Sequence, residues 1–264
     1  MIKLKDLLFE GVYDKGIFKA VFMAGGPGSG KSYVVQQLFG IPKKVNVSVT
    51  GLKTVNSDAE FETLLKKYGF DPKYLDQFPD DLFDDLTGKD GSGARDFAKS
   101  LTKARQKGYM DGKLGMIIDG TGHNFQKIKK EKKRLEKEGY DTYMVFVNTS
   151  LEVAQQRNKE RARVLPEDIV EQSWKDVQKN IGGFQSLFGN DFVVVDNSDT
   201  LDEKQAAKKF GTYVKSHADR WAKSPIKNVI GKDWVEDQQK LKNAGIKWLN
   251  LKTYYLKHYP RTNG

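Results

Sequence analysis

Lys31 and Ser32 close the run Gly25-Gly26-Pro27-Gly28-Ser29-Gly30-Lys31-Ser32. The run fits G-x-x-x-x-G-K-[ST], the spacing of a loop that wraps a phosphate chain. The glycines let successive backbone N–H groups turn inward onto an anion. Lys31 would reach the β- and γ-phosphates of ATP, Ser32 would hold Mg²⁺, and the positive end of the following helix would add to the field. Two carboxylates sit where they could work beside such a loop. Asp58 follows Val55-Asn56-Ser57; at the end of a strand it would accept the proton of an attacking hydroxyl, or, more plainly, it or Ser57 would cap the next helix. Asp119 ends the apolar run Met116-Ile117-Ile118, where a carboxylate can hold Mg²⁺ through water or position an acceptor. Gly120-Thr121-Gly122-His123-Asn124 comes next. It either brings Thr121 and Asn124 to a substrate or is a turn with Asn124 as an N-cap. Arg157, Arg161 and Arg163 crowd a helix end before Val164-Leu165-Pro166. Arg157 and Arg161, four apart, would share one helix face and close over the phosphates as a lid hinged at the proline.

These residues need elements to hold them. Ile17 to Met23 is apolar and β-prone, and Tyr33 to Phe39 carries a helical stripe of Val34, Val35 and Leu38, so the loop lies between strand and helix. Strands are expected at Val45 to Val49 or Leu52 to Val55, at Leu114 to Ile118, at Tyr143 to Val147 and at Phe192 to Val195. Helices are expected over Glu60 to Tyr68, Phe97 to Lys107, Phe125 to Glu138, from Ser150 to about Arg163, from Pro166 through Val177, and over Glu203 to Lys215. Residues 1–16 read as a short helix or extension, and 69–96, rich in Asp, Gly and Pro, as a loop-rich insertion. The alternation implies an α/β fold of the phosphate-binding-loop NTPase type. Its doubly wound parallel sheet has helices on both faces and its chemistry at the carboxyl ends of the strands.

Composition narrows the rest. The 264 residues contain no cysteine and carry a formal charge of +10, which excludes disulfides and thiolate metal sites. No stretch approaches a membrane span and the amino terminus has no apolar leader core, so the expected setting is cytoplasmic. The charge is uneven. Residues 211–264 hold eleven Lys/Arg against four Asp/Glu, while 71–96 hold eight Asp against three Lys/Arg. A main phosphate-binding domain over 1–210 and a basic, aromatic extension over 211–264 are therefore expected. Trp221, Trp234 and Trp248 lie in that extension with Lys223, Lys227, Lys252, Tyr254, Tyr255, Lys257 and Tyr259. They could stack bases while lysines meet phosphates, though docking on the chain's own core is preferred. The histidines, His123, His217 and His258, have no metal-ligand spacing.

The ordered set Gly25–Ser32, Val55-Asn56-Ser57-Asp58, Ile117-Ile118-Asp119-Gly120-Thr121 and Arg157-Asn158-x-x-Arg161 followed by Pro166 resembles the P-loop kinases that include the zeta-toxin-type kinases and the 5′-hydroxyl polynucleotide kinases. The resemblance spans about residues 17–200. It implies an ATP- and Mg²⁺-dependent phosphotransferase. Lys31 and Ser32 would be on the phosphates and metal, Asp58 would be general base, Asp119 would lie at the acceptor side, Arg157 and Arg161 would be lid arginines, and Asn197 with Ser198 would lie near the adenine. It also implies a nucleotide sugar or other small molecule as acceptor, with a polynucleotide 5′ end as the alternative. A nucleotide-switched binding protein is the rival reading. Phe61 stands where polynucleotide kinases commonly carry an arginine that grips the acceptor phosphate, and the acidic insertion would repel a polyanion. Both weigh against nucleic acid.

Overall fold

The computed structural model describes residues 12–41, 47–88, 93–161, 163–199, 203–212 and 214–243. Strand β1 is Lys19–Ala24, and α1, Lys31–Phe39, follows the glycine loop. Then come β2 (Lys53–Val55), α2 (Asp58–Lys67), a 3-10 turn (Pro72–Gln77), α3 (Asp80–Thr87), α4 (Ala94–Asp111) and β3 (Met116–Asp119). After them run α5 (Phe125–Lys137), β4 (Asp141–Asn148), α6 (Leu151–Lys159), α7 (Glu167–Lys179), α8 (Ile181–Phe188) and β5 (Phe192–Asp196). The last described elements are α9 (Glu203–Thr212), α10 (Val214–Lys223) and α11 (Val229–Asn243).

The five strands form one sheet in the order β2-β3-β1-β4-β5, and every neighbouring pair is parallel. Period-two alternation along β1 explains the two-sided core. Val21 and Met23 face α1, α9 and α10 in one apolar cluster. Ala20, Phe22 and Ala24 face the opposite layer, where Met110, Leu135, Val177 and Phe184 come from α4, α5, α7 and α8. This is the expected doubly wound parallel sheet with helices on both faces. A third, smaller cluster joins Phe61 and Leu65 of α2 to Leu75 and Ala98.

Several elements differ from expectation. The second strand is the Lys53–Val55 segment; of the other candidate, residues 45 and 46 lie outside the described residues, and Val47 makes a single antiparallel bridge to Lys53. The expected loop at 69–96 is largely helical. Asp71 accepts from the Lys73 N–H at 3.0 Å to open the 3-10 turn, and Asp80 and Asp81 begin α3, where carboxylates suit the helix dipole. The same residues that look like loop punctuation are here helix starts. The helix from Ser150 stops at Lys159, and the one from Glu203 at Thr212, after which α10 begins. Helix α8 hides behind Gly182-Gly183; a Cβ on Gly183 would lie 2.9 Å from the Phe125 ring, so the glycine permits a close approach.

The described part of the basic extension packs on the core. Trp221 of α10 is buried against Tyr143, with ring centroids 5.0 Å apart. Trp234 of α11 meets Phe18 edge-on at 5.4 Å. At the amino end of the sheet the buried Lys19 ammonium donates to Asp141 at 2.7 Å and to Ser224 Oγ at 3.1 Å. Asp141 in turn accepts from the Lys227 and Asn228 N–H groups at 2.9 and 2.8 Å. These rings and charges are spent on the chain itself. Trp248, Lys252, Tyr254, Tyr255, Lys257, Tyr259 and His258, and most of the expected segment 1–16, lie outside the described residues. No helix among the described residues is long and apolar enough to cross a membrane.

Candidate functional site

The glycine loop sits at the carboxyl end of β1, with Gly25, Gly28 and Gly30 at φ of 151°, 76° and 79°, backbone that only glycine adopts cheaply. Space enforces the same residues. A Cβ on Gly28 would fall 2.0 Å from the Ala154 carbonyl, and one on Gly30 2.4 Å from Asn197 Nδ2. Lys31 opens α1 and turns back, donating to the Gly25 carbonyl at 2.6 Å and the Gly26 carbonyl at 3.3 Å. Burial pulls its ammonium below the ordinary lysine range, opposed by Asp119 and then Asp58. Ser29 Oγ in the loop is buried without a hydrogen-bond partner, an orphan donor of the kind a phosphate oxygen satisfies.

The two carboxylates converge on this loop. Parallel pairing sets β1 beside β3, so Asp119 stands level with Met23 just before the loop. Asn56, after β2, ties the pair together: its Nδ2 donates to Asp119 Oδ2 at 2.8 Å and its Oδ1 accepts from the Asp58 N–H at 2.7 Å. Asn56 thereby satisfies the first N–H of α2, the N-cap residue Ser57 makes no side-chain cap bond, and the Asp58 carboxylate is free for other partners. Those are Arg95 at 2.7 Å and Arg163 at 3.0 Å. Burial pushes the Asp58 carboxyl up, but Arg163, Arg95 and Lys31 together outweigh it and hold the group below the usual range. Asp119 goes the other way. Burial raises it, only partly offset by Lys31, and its Oδ1 has no hydrogen-bond partner.

The arginines separate. Helix α6 ends before Arg161 because Asn158 turns the chain, donating to the Leu165 carbonyl at 2.7 Å and accepting from the Leu165 N–H at 3.2 Å. The shared helix face expected for Arg157 and Arg161 is therefore absent. Arg157 donates to the carbonyls of Asn197 and Asp199 at 2.7 and 2.8 Å. Asn197 donates to the Ser29 carbonyl at 2.8 Å, so this pair braces the loop from the β5 side. Arg161 lies within electrostatic reach of Lys31 and Asp119, and its guanidinium has no partner among the described residues. Arg163, buried to 8% side-chain exposure, lies over the Phe61 ring at 5.7 Å, with Arg95 over the same ring at 5.2 Å. Thr121 and His123 pair with each other, and Asn124 caps α5 by accepting from the Lys127 N–H.

The linking role of Asn56, the part played by Arg95 and the placement of Arg163 do not follow from the sequence reading. Asn56 had a signal, a short polar side chain before a helix start. Arg95 had none, because it meets Asp58 only through the packing of α4 on α2.

Ser32 and Asp119 line one small cavity of about 150 Å³ with Asn56 and Glu60. The donors are hard oxygens, and an unpartnered carboxylate oxygen stands among them. That fits Mg²⁺, which takes one or two protein oxygens and fills the rest of its shell with phosphate and water. No group of three or more His, Cys, Asp or Glu side chains suited to a metal occurs among the described residues.

Residues 21–183 match the family model described as AAA domain. No curated protein matches the chain. Solved structures similar to it include one from the PezAT chromosomal toxin-antitoxin system of Streptococcus pneumoniae, at 15% identity over 83% of this chain and 89% of that one, with a TM-score of 0.47. A gluconokinase from Sinorhizobium meliloti is similar at 13% identity over 78% and 94%, with a TM-score of 0.43. A shikimate kinase from Acinetobacter baumannii is similar at 14% identity over 89% and 98%, with a TM-score of 0.39.

Proposed function

The chain belongs to the family described as AAA domain, whose model its residues 21–183 match, and from that premise we propose that it transfers the γ-phosphate of ATP to a hydroxyl of a small acceptor, a nucleotide sugar being the first candidate. One observation carries the reading. Asn56 links the Asp58 N–H and the Asp119 carboxylate by bonds of 2.7 and 2.8 Å, and both carboxylates act electrostatically on the lysine of the phosphate-binding loop. A nucleotide switch needs the loop and one metal-side carboxylate; a second carboxylate at the same mouth, kept ionised by two arginines, is what a hydroxyl acceptor needs.

In this reading the loop N–H groups, Ser29 Oγ and Lys31 bind the ATP phosphates, and Asn197, braced by Arg157, sets the shape of the loop beside them. Mg²⁺, held by Ser32 and Asp119, would neutralise charge on the phosphates. Asp58 takes the hydroxyl proton as the acceptor oxygen bonds to the γ-phosphorus and the bond to the β–γ bridging oxygen of ADP breaks. Arg161, which has no other partner among the described residues, meets the transferring phosphoryl group. The 5′-hydroxyl polynucleotide reading remains the alternative, because Arg95 and Arg163 supply over the Phe61 ring the guanidinium charge that Phe61 itself lacks.

The test is γ-phosphate transfer from labelled ATP to UDP-sugars, nucleosides and 5′-hydroxyl oligonucleotides, with wild type and Asp58→Asn. Transfer to one acceptor class, lost in the variant with ATP still bound, supports the proposal. ATP binding with no acceptor labelled would move the nucleotide-switch reading ahead.

A further inference from the structure

A cavity of about 760 Å³ lies between α4 and α5 and opens beside Ser57 and Asp119. Both helices flank β3 in sequence, so both run from the carboxyl end of the sheet to its amino end. The groove therefore leads away from the catalytic mouth along the sheet. Its α4 wall carries Lys99, Lys103 and Lys107, which continue from Arg95 at intervals of four. Residues so spaced stand on one helix face at steps of about 6 Å. The row begins at the guanidinium that holds Asp58 at 2.7 Å. Lys127, from the first turn of α5, faces it across the groove.

Most of these charges are uncommitted. Lys103, Lys107 and Lys127 are exposed and their ammonium groups have no ion-pair or hydrogen-bond partner among the described residues; Lys99 pairs with Asp96 at 2.9 Å. Of the carboxylates of the groove, Asp119 at the mouth accepts from Asn56 through one oxygen and has the other unpartnered; the rest are engaged or remote. Glu131 is taken by Arg134 and by Gln106, which donates across the groove at 2.6 Å. Glu138 pairs with Lys113 at 3.3 Å, and it and Asp111 stand at the far end. None of the aspartates from Asp71 to Asp85 lines the groove, and Asp96, at the end of the acidic insertion, meets it through Lys99.

We propose that this groove is the acceptor site and that the acceptor carries phosphate, seated on Lys103, Lys107 and Lys127 with its hydroxyl at Asp58. The proposal rests on the kinase reading for the direction of the bound molecule but not for its binding. Unpaired lysines at helical intervals cost little in isolation and gain most from an anion with charges several ångströms apart. Both a nucleoside diphosphate sugar and a short single strand have that chemistry.

The experiment titrates the full-length chain, its phosphate-binding loop saturated with a non-hydrolysable ATP analogue and Mg²⁺, with three probes: UDP-glucose, a short 5′-hydroxyl oligothymidylate, and glucose. It is repeated at about 50 and about 200 mM salt and with Lys103→Gln/Lys107→Gln/Lys127→Gln, whose exposed positions leave the core untouched. At least one phosphate-bearing probe should bind, glucose should not, and salt should weaken binding. The triple variant should bind that probe at least about tenfold more weakly with the ATP analogue's affinity unchanged. Which probe binds identifies the source of the phosphate. Binding of neither, or equal binding by wild type and variant, overturns the proposal. Transfer of labelled phosphate, followed in parallel, separates the two readings. Binding lost in the variant without transfer to any probe sinks the kinase reading and leaves the groove. Transfer at unchanged KM in the variant leaves the kinase and removes the groove.

Discussion

Replacing Asp58 by Asn removes one charge at the point where the proposed chemistry and the local electrostatics meet, and the two consequences have different sizes. A positioned general base contributes about 10²- to 10⁴-fold to the rate, so kcat for transfer should fall by that factor, about 3 to 5.5 kcal/mol of barrier. The ATP analogue should bind within about threefold of wild type, because its contacts are to the glycine loop and Lys31. Stability should fall by much less. Two unit charges at the 3.0 Å of Arg163 and Asp58 attract by about 5.5 kcal/mol at an effective dielectric of 20 and about 1.4 in water. The Arg95 pair at 2.7 Å is lost as well, but Asp58 is 33% and Arg95 23% exposed and Arg163 retains Glu62 at 3.6 Å, which holds each loss at or below the lower figure, about 1–2 kcal/mol in all. In a chain of this size that is a fall in Tm of about 3–6 °C. The assay pairs labelled-phosphate transfer with calorimetric titration of the analogue and a thermal melt. Transfer within tenfold of wild type would remove Asp58 from the chemistry. Loss of transfer together with ATP binding, or a Tm fall far beyond this range, would mean that the residue serves structure first.

Gly28→Ala should abolish ATP binding, since its Cβ would meet the Ala154 carbonyl at 2.0 Å with φ at +76°; titration of the analogue checks it. Asn197→Ala removes the 2.8 Å bond to the Ser29 carbonyl and should raise the KM for ATP about five- to tenfold, the worth of about 1 kcal/mol, with kcat for transfer little changed. Asp119→Asn should raise the ligand-free Tm at neutral pH while lowering transfer. Burial raises the Asp119 carboxyl, so its ionised form costs stability that is absent below the unfolded carboxylate value and appears as pH rises through the folded one. Melts of wild type and variant should therefore converge in acid and separate toward neutrality. Asp141→Ala leaves the buried Lys19 ammonium without its 2.7 Å partner and should cost about 3–5 kcal/mol, with faster proteolysis at Ser224 to Asn228.

What could be read from the sequence was local. The glycine loop needs its residues consecutive, a buried parallel strand announces itself as an apolar run, and Asp58 and Asp119 stand at strand ends that such runs mark. The fold class and the two carboxylates followed from these. What stayed hidden depends on pairs far apart in the chain. Arg95 and Asp58 are joined through the packing of α4 on α2, and Arg157 and Asn197 through the approach of α6 to the end of β5. No periodicity encodes either. Phe61 shows the limit most clearly. At its position in the sequence it reads as a missing cationic grip, whereas in the fold its buried ring underlies two guanidinium groups brought from α4 and from the segment after α6.

In the proposed chemistry, the same long-range charges explain how two aspartates that both act on Lys31 can hold different roles. Neighbouring carboxylates divide labour when their surroundings drive their proton affinities apart. Asp58 sits between two arginines and is held ionised, which leaves it able to take a proton. Asp119 is buried with one oxygen unsatisfied and with Lys31 as its leading opposing charge, so its ionised form is costly until a cation arrives. Lys31 meanwhile is turned onto the carbonyls of Gly25 and Gly26. Phosphate entering the loop would draw that ammonium outward, and the charge it then neutralises would no longer oppose the burial of Asp119. On this argument ATP alone should bind less tightly than ATP with Mg²⁺, and Asp119→Asn should erase most of that difference while Asp58→Asn should not. A metal-dependent gain that survives Asp119→Asn would assign the cation to other oxygens and break the division of roles.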